Sequence, residues 1–179
     1  AINGPENVVV SGSRASVQAV LTTLRAGGIE STPLRVSHAF HSPLMEPMLD
    51  AFERIAGEIS YASPDIKLVS NVTGQVTGDE VTQAAYWRRH VREPVQFFTG
   101  MRTVYGLGCE VFVEIGPQPT LLGMGKRCLP EGAGHWLVSL RQGRADWQQM
   151  LESLAALYTR GAEVDWEGFD RDYQRRKVW

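Results

Sequence analysis

The segment that begins at Ser42 restricts the fold more than any other part of the chain. Ser42 and Pro43 are suited to the N-cap and the first position of a helix, and apolar side chains recur after them at helical spacing. This apolar stripe consists of Met45, Met48, Leu49, Phe52, Ile55 and Ile59. The pattern predicts an amphipathic helix that packs one face against the rest of the protein.

Strand-like and helix-like patterns alternate along residues 1–75. Short apolar runs beside turn residues predict strands at residues 8–10, 31–36 and 67–69. A further helix is predicted to begin at Ser13, which can cap it, and to end at Gly27 and Gly28. The order strand, helix, strand, helix, strand predicts an α/β fold with a small ferredoxin-like sheet that helices cover on one face.

Residues 76–130 carry a second set of patterns. Helices are predicted around residues 86–90 and 97–105, followed by a strand at residues 109–115 that Gly116 and Pro117 stop. The strand is apolar almost throughout, which is typical of a parallel sheet with helices on either side. We therefore expect this strand, including Cys109, to be buried, with the other strands of such a sheet supplied from elsewhere.

Residues 131–179 follow a glycine-rich loop. A strand is predicted at residues 136–140, and after it a helix that ends at Gly161 and carries Trp147, Met150, Leu151, Leu154 and Tyr158. The tail contains the aromatic residues Trp166, Phe169, Tyr173 and Trp179. So many aromatic side chains predict a tail that docks on another surface.

Charge and hydropathy exclude several classes of protein. The net charge is -2, so no overall positive field attracts a nucleic acid backbone, and the basic residues Arg171, Arg175, Arg176 and Lys177 are expected to form a solvated tail. No apolar run reaches the roughly 18 to 20 residues of a membrane helix, and the first residues do not resemble a signal peptide. We expect a cytoplasmic protein without a membrane or nucleic acid partner.

The cysteines do not indicate a metal or redox site. Cys109 and Cys128 are the two cysteines of the chain, and neither has the nearby second cysteine of a zinc or redox motif. Both are expected to be reduced.

Two histidines, His38 and His41, lie between a predicted strand and a predicted helix. Because His41 directly precedes the Ser42 cap, the positive end of the helix favours its neutral, proton-accepting form, which suits a general base. A second interpretation is a histidine satisfied by hydrogen bonds at the end of a strand. Both histidines could also bind one metal ion, but no third ligand lies nearby in the sequence, and no metal site is predicted.

Four blocks of the chain resemble the acyltransferase domains of modular type I polyketide synthases, and they occur in the order found in that family. Residues 3–12 resemble the strand that enters its small ferredoxin-like subdomain, and residues 36–46 resemble its His-Ala-Phe-His block. Residues 86–95 and 114–117 resemble the return into its large subdomain, and residues 136–140 and 146–147 resemble the linker after the domain. The resemblance implies a ferredoxin-like small subdomain at residues 1–75, the C-terminal part of an α/β-hydrolase-like large subdomain at residues 76–130, and a linker at residues 131–179.

The resemblance also implies an activity: part of a malonyl-CoA:acyl carrier protein transacylase that loads extender units in polyketide biosynthesis. His41 matches the general base of a serine and histidine pair, and a carbonyl oxygen around His90 resembles the group that orients the base. His38 and Phe40 match substrate-binding positions. Relatives that load methylmalonyl units usually have Tyr-Ala-Ser-His here, and the larger ring of Phe40 fills the space of the α-methyl group, so malonyl is the predicted unit. No bound cofactor is implied, since coenzyme A carries the substrate and the phosphopantetheine of the carrier protein is the acceptor.

The chain departs from the family at the nucleophile. The family carries its serine in a Gly-His-Ser-x-Gly sequence, which these 179 residues do not contain. We therefore expect the chain alone to be inactive and to need the N-terminal half of the acyltransferase, with the acyl carrier protein and, through the linker, the ketosynthase as further partners. The alternative is a non-catalytic interaction module that docks a carrier protein or a ketosynthase.

Overall fold

The structure, a computed structural model, describes residues 1–173, in which helices and short strands alternate as the α/β class predicts. One compact unit consists of Ala1–Glu110 and Gly123–Gly134, and the other consists of Val111–Leu122 and the chain from His135 onward. Predictions for Arg175, Arg176, Lys177 and Trp179 concern positions outside the described residues.

The elements are short and begin with two strands. In chain order they are β1 (Ile2–Gly4), β2 (Asn7–Val8), α1 (Arg14–Ala26), a 3-10 turn (Pro43–Met45), α2 (Glu46–Ala56), β3 (Leu68–Val69), β4 (Val76–Thr77), a second 3-10 turn (Asp79–Thr82), α3 (Ala84–Arg92), α4 (Phe97–Gly106), β5 (Val111–Glu114), α5 (Thr120–Cys128), β6 (His135–Val138), α6 (Asp146–Tyr158) and α7 (Trp166–Asp170). Strands β1 and β2 pair antiparallel, as do β3 and β4, whereas β5 and β6 pair in parallel.

Helix α1 has the predicted ends, but the strand predicted after it is wrong. The Ser16 N–H donates to the Ser13 side chain at the start of the helix, and Gly27 caps its end. Residues 31–36 have no regular secondary structure, and Val36 is 71% exposed. A strand needs a neighbour for its backbone hydrogen bonds, and none of the strands within residues 1–173 pairs with this segment. The predicted strands at residues 8–10 and 67–69 lie in separate hairpins rather than in one sheet.

Helix α2 confirms the helix predicted after Ser42, with the turn at Pro43–Met45 in front of it. Its packing partner is α3. Arg88 of α3 contacts Asp50 at 2.6 Å and Glu53 at 2.9 Å, and Arg92 contacts Glu46 at 3.0 Å. Exposed pairs like these each contribute little to stability, and they join α2 to α3 at several points along the contact.

The core of the first unit contains Val72, Val81 and Tyr86, with Trp87 packed against it. The Tyr86 hydroxyl lies 2.8 Å from the buried Ser70 hydroxyl, so this buried polar pair is satisfied. Strand β4 was not predicted, because it lies in a stretch rich in turn residues.

The turn of the β3–β4 hairpin depends on Gly74. Its φ is +70°, and a Cβ atom there would lie 2.5 Å from the Cβ of Thr99. Only glycine adopts this backbone conformation at such a close approach without strain.

The second unit confirms the predicted parallel pairing of the strand before Gly116, but not its burial on both faces. Phe112 and Glu114 are buried, whereas Val113 between them is 39% exposed. Cys109 is exposed because the strand begins only at Val111, so its predicted burial is wrong.

Helix α5 was not predicted, and the Glu114 side chain stabilises its first turn. The Glu114 carboxylate accepts hydrogen bonds from the backbone N–H groups of Thr120 and Leu121 at 3.0 Å and of Leu122 at 2.8 Å. These groups have no partner inside the helix itself. The carboxylate therefore caps the helix from a neighbouring strand.

The aromatic residues of α7 pack on α6. Phe169 stacks on Trp147 at 5.9 Å between ring centroids, and Trp166 packs edge-on against Tyr158 at 5.2 Å. The docking surface predicted for these two tail residues is therefore α6 of the same unit. Within residues 1–173, no helix combines the length and apolar character needed to cross a membrane.

Candidate active site

The backbone of His41 is held in an unusual conformation directly before the Ser42 cap. Its φ is +61°, the left-handed region that residues other than glycine rarely adopt. The His41 N–H donates to the Val91 carbonyl at 3.0 Å, and the Ser11 hydroxyl donates to the His41 carbonyl at 3.2 Å. Strained residues that their surroundings fix in this way cluster at functional sites.

The ring of His41 is oriented by one hydrogen bond. Its Nδ1 lies 2.7 Å from the backbone carbonyl oxygen of Glu93. A carbonyl oxygen can only accept, so Nδ1 carries a proton and, in the neutral ring, Nε2 keeps a free lone pair. The ring is therefore arranged to accept a proton at Nε2.

Glu93 is itself held in place at the end of α3. Arg89 Nε and Nη2 contact its two carboxylate oxygens at 2.8 and 3.3 Å, and its N–H donates to the Arg89 carbonyl at 2.7 Å. The hydrogen bond and the charge of Arg89 lower the pKa of the Glu93 carboxyl group. Sequence reasoning did not select this pair, although the spacing of four residues between Arg89 and Glu93 is a recognisable signal.

His90 lies in the same turn of α3, and its ring contacts that of His41. The two centroids are 6.3 Å apart with the planes at 66°, and Tyr86 and Trp87 lie at 6.1 and 5.7 Å on the α3 side. Burial lowers the pKa of His90, and the positive charge of His41 lowers it further. The carbonyl oxygen predicted around His90 is, in this structure, that of Glu93.

Phe40 and His38 are the other two residues predicted to form the site, and both are exposed. The Phe40 ring lies 6.5 Å from that of His41 and 6.2 Å from that of His38. His38 Nδ1 is 3.0 Å from the Ser37 hydroxyl. The structure thus brings the four predicted residues His38, Phe40, His41 and His90 into one continuous group of rings, and their predicted contact with substrate stays a prediction.

Metal chemistry and cavities do not define this site. Within residues 1–173, no three His, Cys, Asp or Glu side chains lie close enough to hold a metal ion. Two cavities of about 310 and 300 Å³ lie in the second unit, where Arg141 and Arg144 line both. Neither is lined by His41, so the candidate site is identified by its hydrogen bonds and ring contacts.

Comparison with known proteins gives one family. The model of the acyl transferase domain matches residues 1–164. Over 99% of its length the chain is 42% identical to the polyketide synthase GfsA of Streptomyces halstedii, and over 100% it is 38% identical to the mycoketide-CoA synthase of Mycobacterium tuberculosis. It spans only 2% and 5% of the length of these two synthases.

Solved structures agree with these relatives. The acyltransferase domain from the second module of the salinomycin polyketide synthase is 41% identical, with a TM-score of 0.86 over 97% of this chain and 42% of that one. A structure of MCAT from Streptococcus pneumoniae is 28% identical, with a TM-score of 0.73 over 88% of this chain and 48% of that one. These likenesses confirm the α/β class.

Proposed function

The chain belongs to the acyltransferase domains of modular type I polyketide synthases, and we propose that it supplies the general base for malonyl transfer from coenzyme A to an acyl carrier protein. The observation that carries the proposal is the 2.7 Å contact between His41 Nδ1 and the Glu93 carbonyl oxygen. It leaves Nε2 as the proton acceptor, as a base-activated hydroxyl nucleophile requires.

The reaction divides into two transfers that use the same base. In the first, His41 Nε2 takes the proton of a serine hydroxyl as the serine oxygen attacks the thioester carbonyl, and it gives that proton to the departing coenzyme A thiolate. In the second, Nε2 takes the proton of the phosphopantetheine thiol as its sulfur attacks the acyl-serine, and it returns the proton to the serine oxygen. Within each transfer, while the ring holds the extra proton, Glu93 stabilises its charge because the Glu93 carbonyl oxygen still accepts from Nδ1–H.

These 179 residues contain no Gly-His-Ser-x-Gly sequence, and we propose that a segment of the same acyltransferase carrying that sequence supplies the serine. Without it no acyl-enzyme forms. We therefore propose that the chain alone transfers no acyl group and that it acts together with the N-terminal part of the acyltransferase.

Phe40 is the residue that we propose to favour malonyl over larger units. Phe40 is 48% exposed and its ring lies 6.5 Å from that of His41, so a group that approaches the base from this side meets the Phe40 ring. A methyl group that meets this ring changes the barrier by about 1 to 3 kcal/mol, and selectivity is therefore incomplete.

The division into a small subdomain (1–75), part of the large subdomain (76–130) and a linker (131–179) belongs to the same proposal. In the linker, the side chains of Trp147 and Tyr158 are 50% and 54% exposed although they also contact α7. We propose that this aromatic surface contacts the ketosynthase, because exposed aromatic patches of this kind are typical of interfaces.

The proposal is tested in a complete domain in which this chain follows a segment that carries the Gly-His-Ser-x-Gly sequence. His41→Asn removes the base while keeping a residue type that tolerates the left-handed backbone. Acylation from malonyl-CoA, followed by intact-protein mass spectrometry, is expected to slow by about 10²- to 10⁴-fold. With equal concentrations of malonyl-CoA and methylmalonyl-CoA, the parent domain is expected to take up malonyl faster.

His135→Asn is the matched control, because His135 lies on β6 in the second unit. It should acylate at the rate of the parent domain. If His41→Asn acylates as fast as His135→Asn, the chain is not the source of the base, and the interaction module is the better interpretation.

A further inference from the structure

We propose that His90 is a positioning residue for His41, a neutral ring that keeps the His41 imidazole against the Glu93 carbonyl. The inference rests on the proposed role of His41 as a base. Its starting point is that the last turn of α3 provides three contacts to one residue. Val91 accepts from the His41 N–H, Glu93 lies opposite Nδ1, and the ring of His90 lies against the ring itself.

The support behind His90 extends to the core. Its ring lies 6.1 Å from that of Tyr86, a buried residue whose hydroxyl is paired with Ser70. On its other side is Trp87, at 5.7 Å, and the Trp87 indole N–H donates to the Val81 carbonyl at 2.8 Å. His90 therefore lies between these fixed side chains and His41, and its ring restricts rotation of the His41 ring.

The other neighbour of the His41 ring is much less constrained. Phe40 is 48% exposed, and its ring contacts are with the neighbouring residues His38 and His41. Within residues 1–173, Phe40 makes no ring contact with a core residue, so His90 is the contact that fixes one side of the His41 ring.

The chemistry of a base makes the charge of this neighbour important. His41 becomes positive whenever it holds the transferred proton, and a second positive charge about 6 Å away would oppose that step. The pKa of His90 is lowered by burial and by the charge of His41, so His90 stays neutral near pH 7. A neutral ring supports His41 without competing with it for a proton.

The other charged groups around α3 have partners of their own. On α2, Glu46 pairs with Arg92, whereas Asp50 and Glu53 both pair with Arg88. On α3, Arg89 pairs with Glu93, and the Tyr86 hydroxyl is bonded to that of Ser70. In the second 3-10 turn, the Asp79 carboxylate accepts from Ser63 and the Glu80 carboxylate accepts from Thr77. Among the charges of residues 1–173, that of His41 is the one that shifts the pKa of His90.

The test uses nitrogen NMR of the histidine rings in the 179-residue chain, which reports the tautomer of His41 directly. His90→Phe keeps an aromatic ring and removes the titratable group, whereas His90→Ala removes both. We expect His41 to hold its proton on Nδ1 in the parent chain and in His90→Phe, and to become a mixture of tautomers in His90→Ala. His135→Ala, in which a histidine outside this group is removed, should leave the His41 spectrum unchanged.

A pH titration of the His90 ring provides a second readout. Burial and the charge of His41 lower the pKa of His90, so in His41→Asn, which removes that charge, the His90 signals should titrate at higher pH than in the parent chain. A His41 that stays on the Nδ1–H tautomer in a folded His90→Ala variant, or a His90 whose titration is the same in His41→Asn and in the parent chain, overturns the proposal.

These measurements need no acyl transfer, so they separate the two proposals. If the complete parent domain takes up no malonyl group while the NMR result holds, the function assigned to the site is wrong and the coupling of the two rings remains. If His90→Ala unfolds, the tautomer of His41 in His90→Phe still decides, because a mixture of tautomers there overturns the proposal.

Discussion

Residues 8–36 and residues 42–92 both contain a helix that the sequence predicts, but they differ in what those helices bury. Every residue of α1, which lies in the described part of the chain, remains at least partly exposed. The second region buries Leu49 and Ala56 of α2 and Met45 before it, because α3 packs against them. Capping and spacing are enough to form a helix in this protein, whereas a core requires a second surface.

The difference has an energetic meaning. A fully buried leucine or valine contributes about 1.5 to 3 kcal/mol relative to an exposed one. In the first region Val20 is 42% exposed, Ile29 55% and Leu34 59%, so these side chains gain only part of that amount. Residues 42–92 therefore contribute more to the stability of the first unit than residues 8–36 do.

The largest expected difference between the two regions follows from truncating one leucine in each. Leu49 is 3% exposed, and Leu49→Ala should lower the free energy of unfolding by about 2 to 5 kcal/mol through lost burial and a cavity. Leu34→Ala, at a residue that is 59% exposed, should change it by less than about 0.5 kcal/mol. Urea denaturation gives both values, and equal losses would contradict the comparison.

Two glycines, one in each region, test the same difference in packing at the backbone. Gly74 and Gly28 both have positive φ, but an added Cβ meets Thr99 at Gly74 and nothing within 4 Å at Gly28. Alanine brings similar backbone strain to both sites, so Gly74→Ala should cost about 1 to 3 kcal/mol more than Gly28→Ala, the cost of overpacking. Thermal unfolding followed by circular dichroism measures the difference. If Gly28→Ala proves the more harmful, the region around Gly74 is less tightly packed than described.

The smallest expected effect concerns the ion pairs between α2 and α3. Arg88→Gln removes the pairs with Asp50 and Glu53 and should lower the free energy of unfolding slightly in dilute salt, by less than Leu49→Ala does. Because salt screens exposed charges, most of this loss should disappear in 1 M sodium chloride. Arg35→Gln, in the first region, is the control and should have no measurable effect. A loss at Arg88 that does not depend on salt would point to packing of its side chain rather than to charge.

The sequence predicts those features that neighbouring residues determine. Ser13 and Ser42 mark the starts of helical segments because a cap acts within three residues. The strand expected at residues 31–36 fails because it depends on a partner strand. Helix α5 was not predicted, for two reasons. Gly123 and Gly125 weaken its helical pattern, and the residue that caps it, Glu114, lies six residues before the helix begins.

The candidate site shows the same limit. His41 stands out in the sequence because of the histidine beside it and the helix cap after it. Its contact with Glu93 joins residues that are 52 positions apart, and no local spacing indicates which carbonyl oxygen will lie opposite the ring. The family resemblance predicts an orienting carbonyl oxygen around His90, and in the structure the carbonyl oxygen opposite Nδ1 is that of Glu93.

The carboxylate of Glu114 has a practical consequence for anyone who recombines acyltransferase segments between synthases. It reaches three successive amides across a loop of fixed length, from Ile115 to Pro119. A crossover point, insertion or deletion inside that loop would shift the amides out of register with the acid. Chimeric junctions therefore belong before the strand or after the first turn of the helix, so that both partners come from one parent.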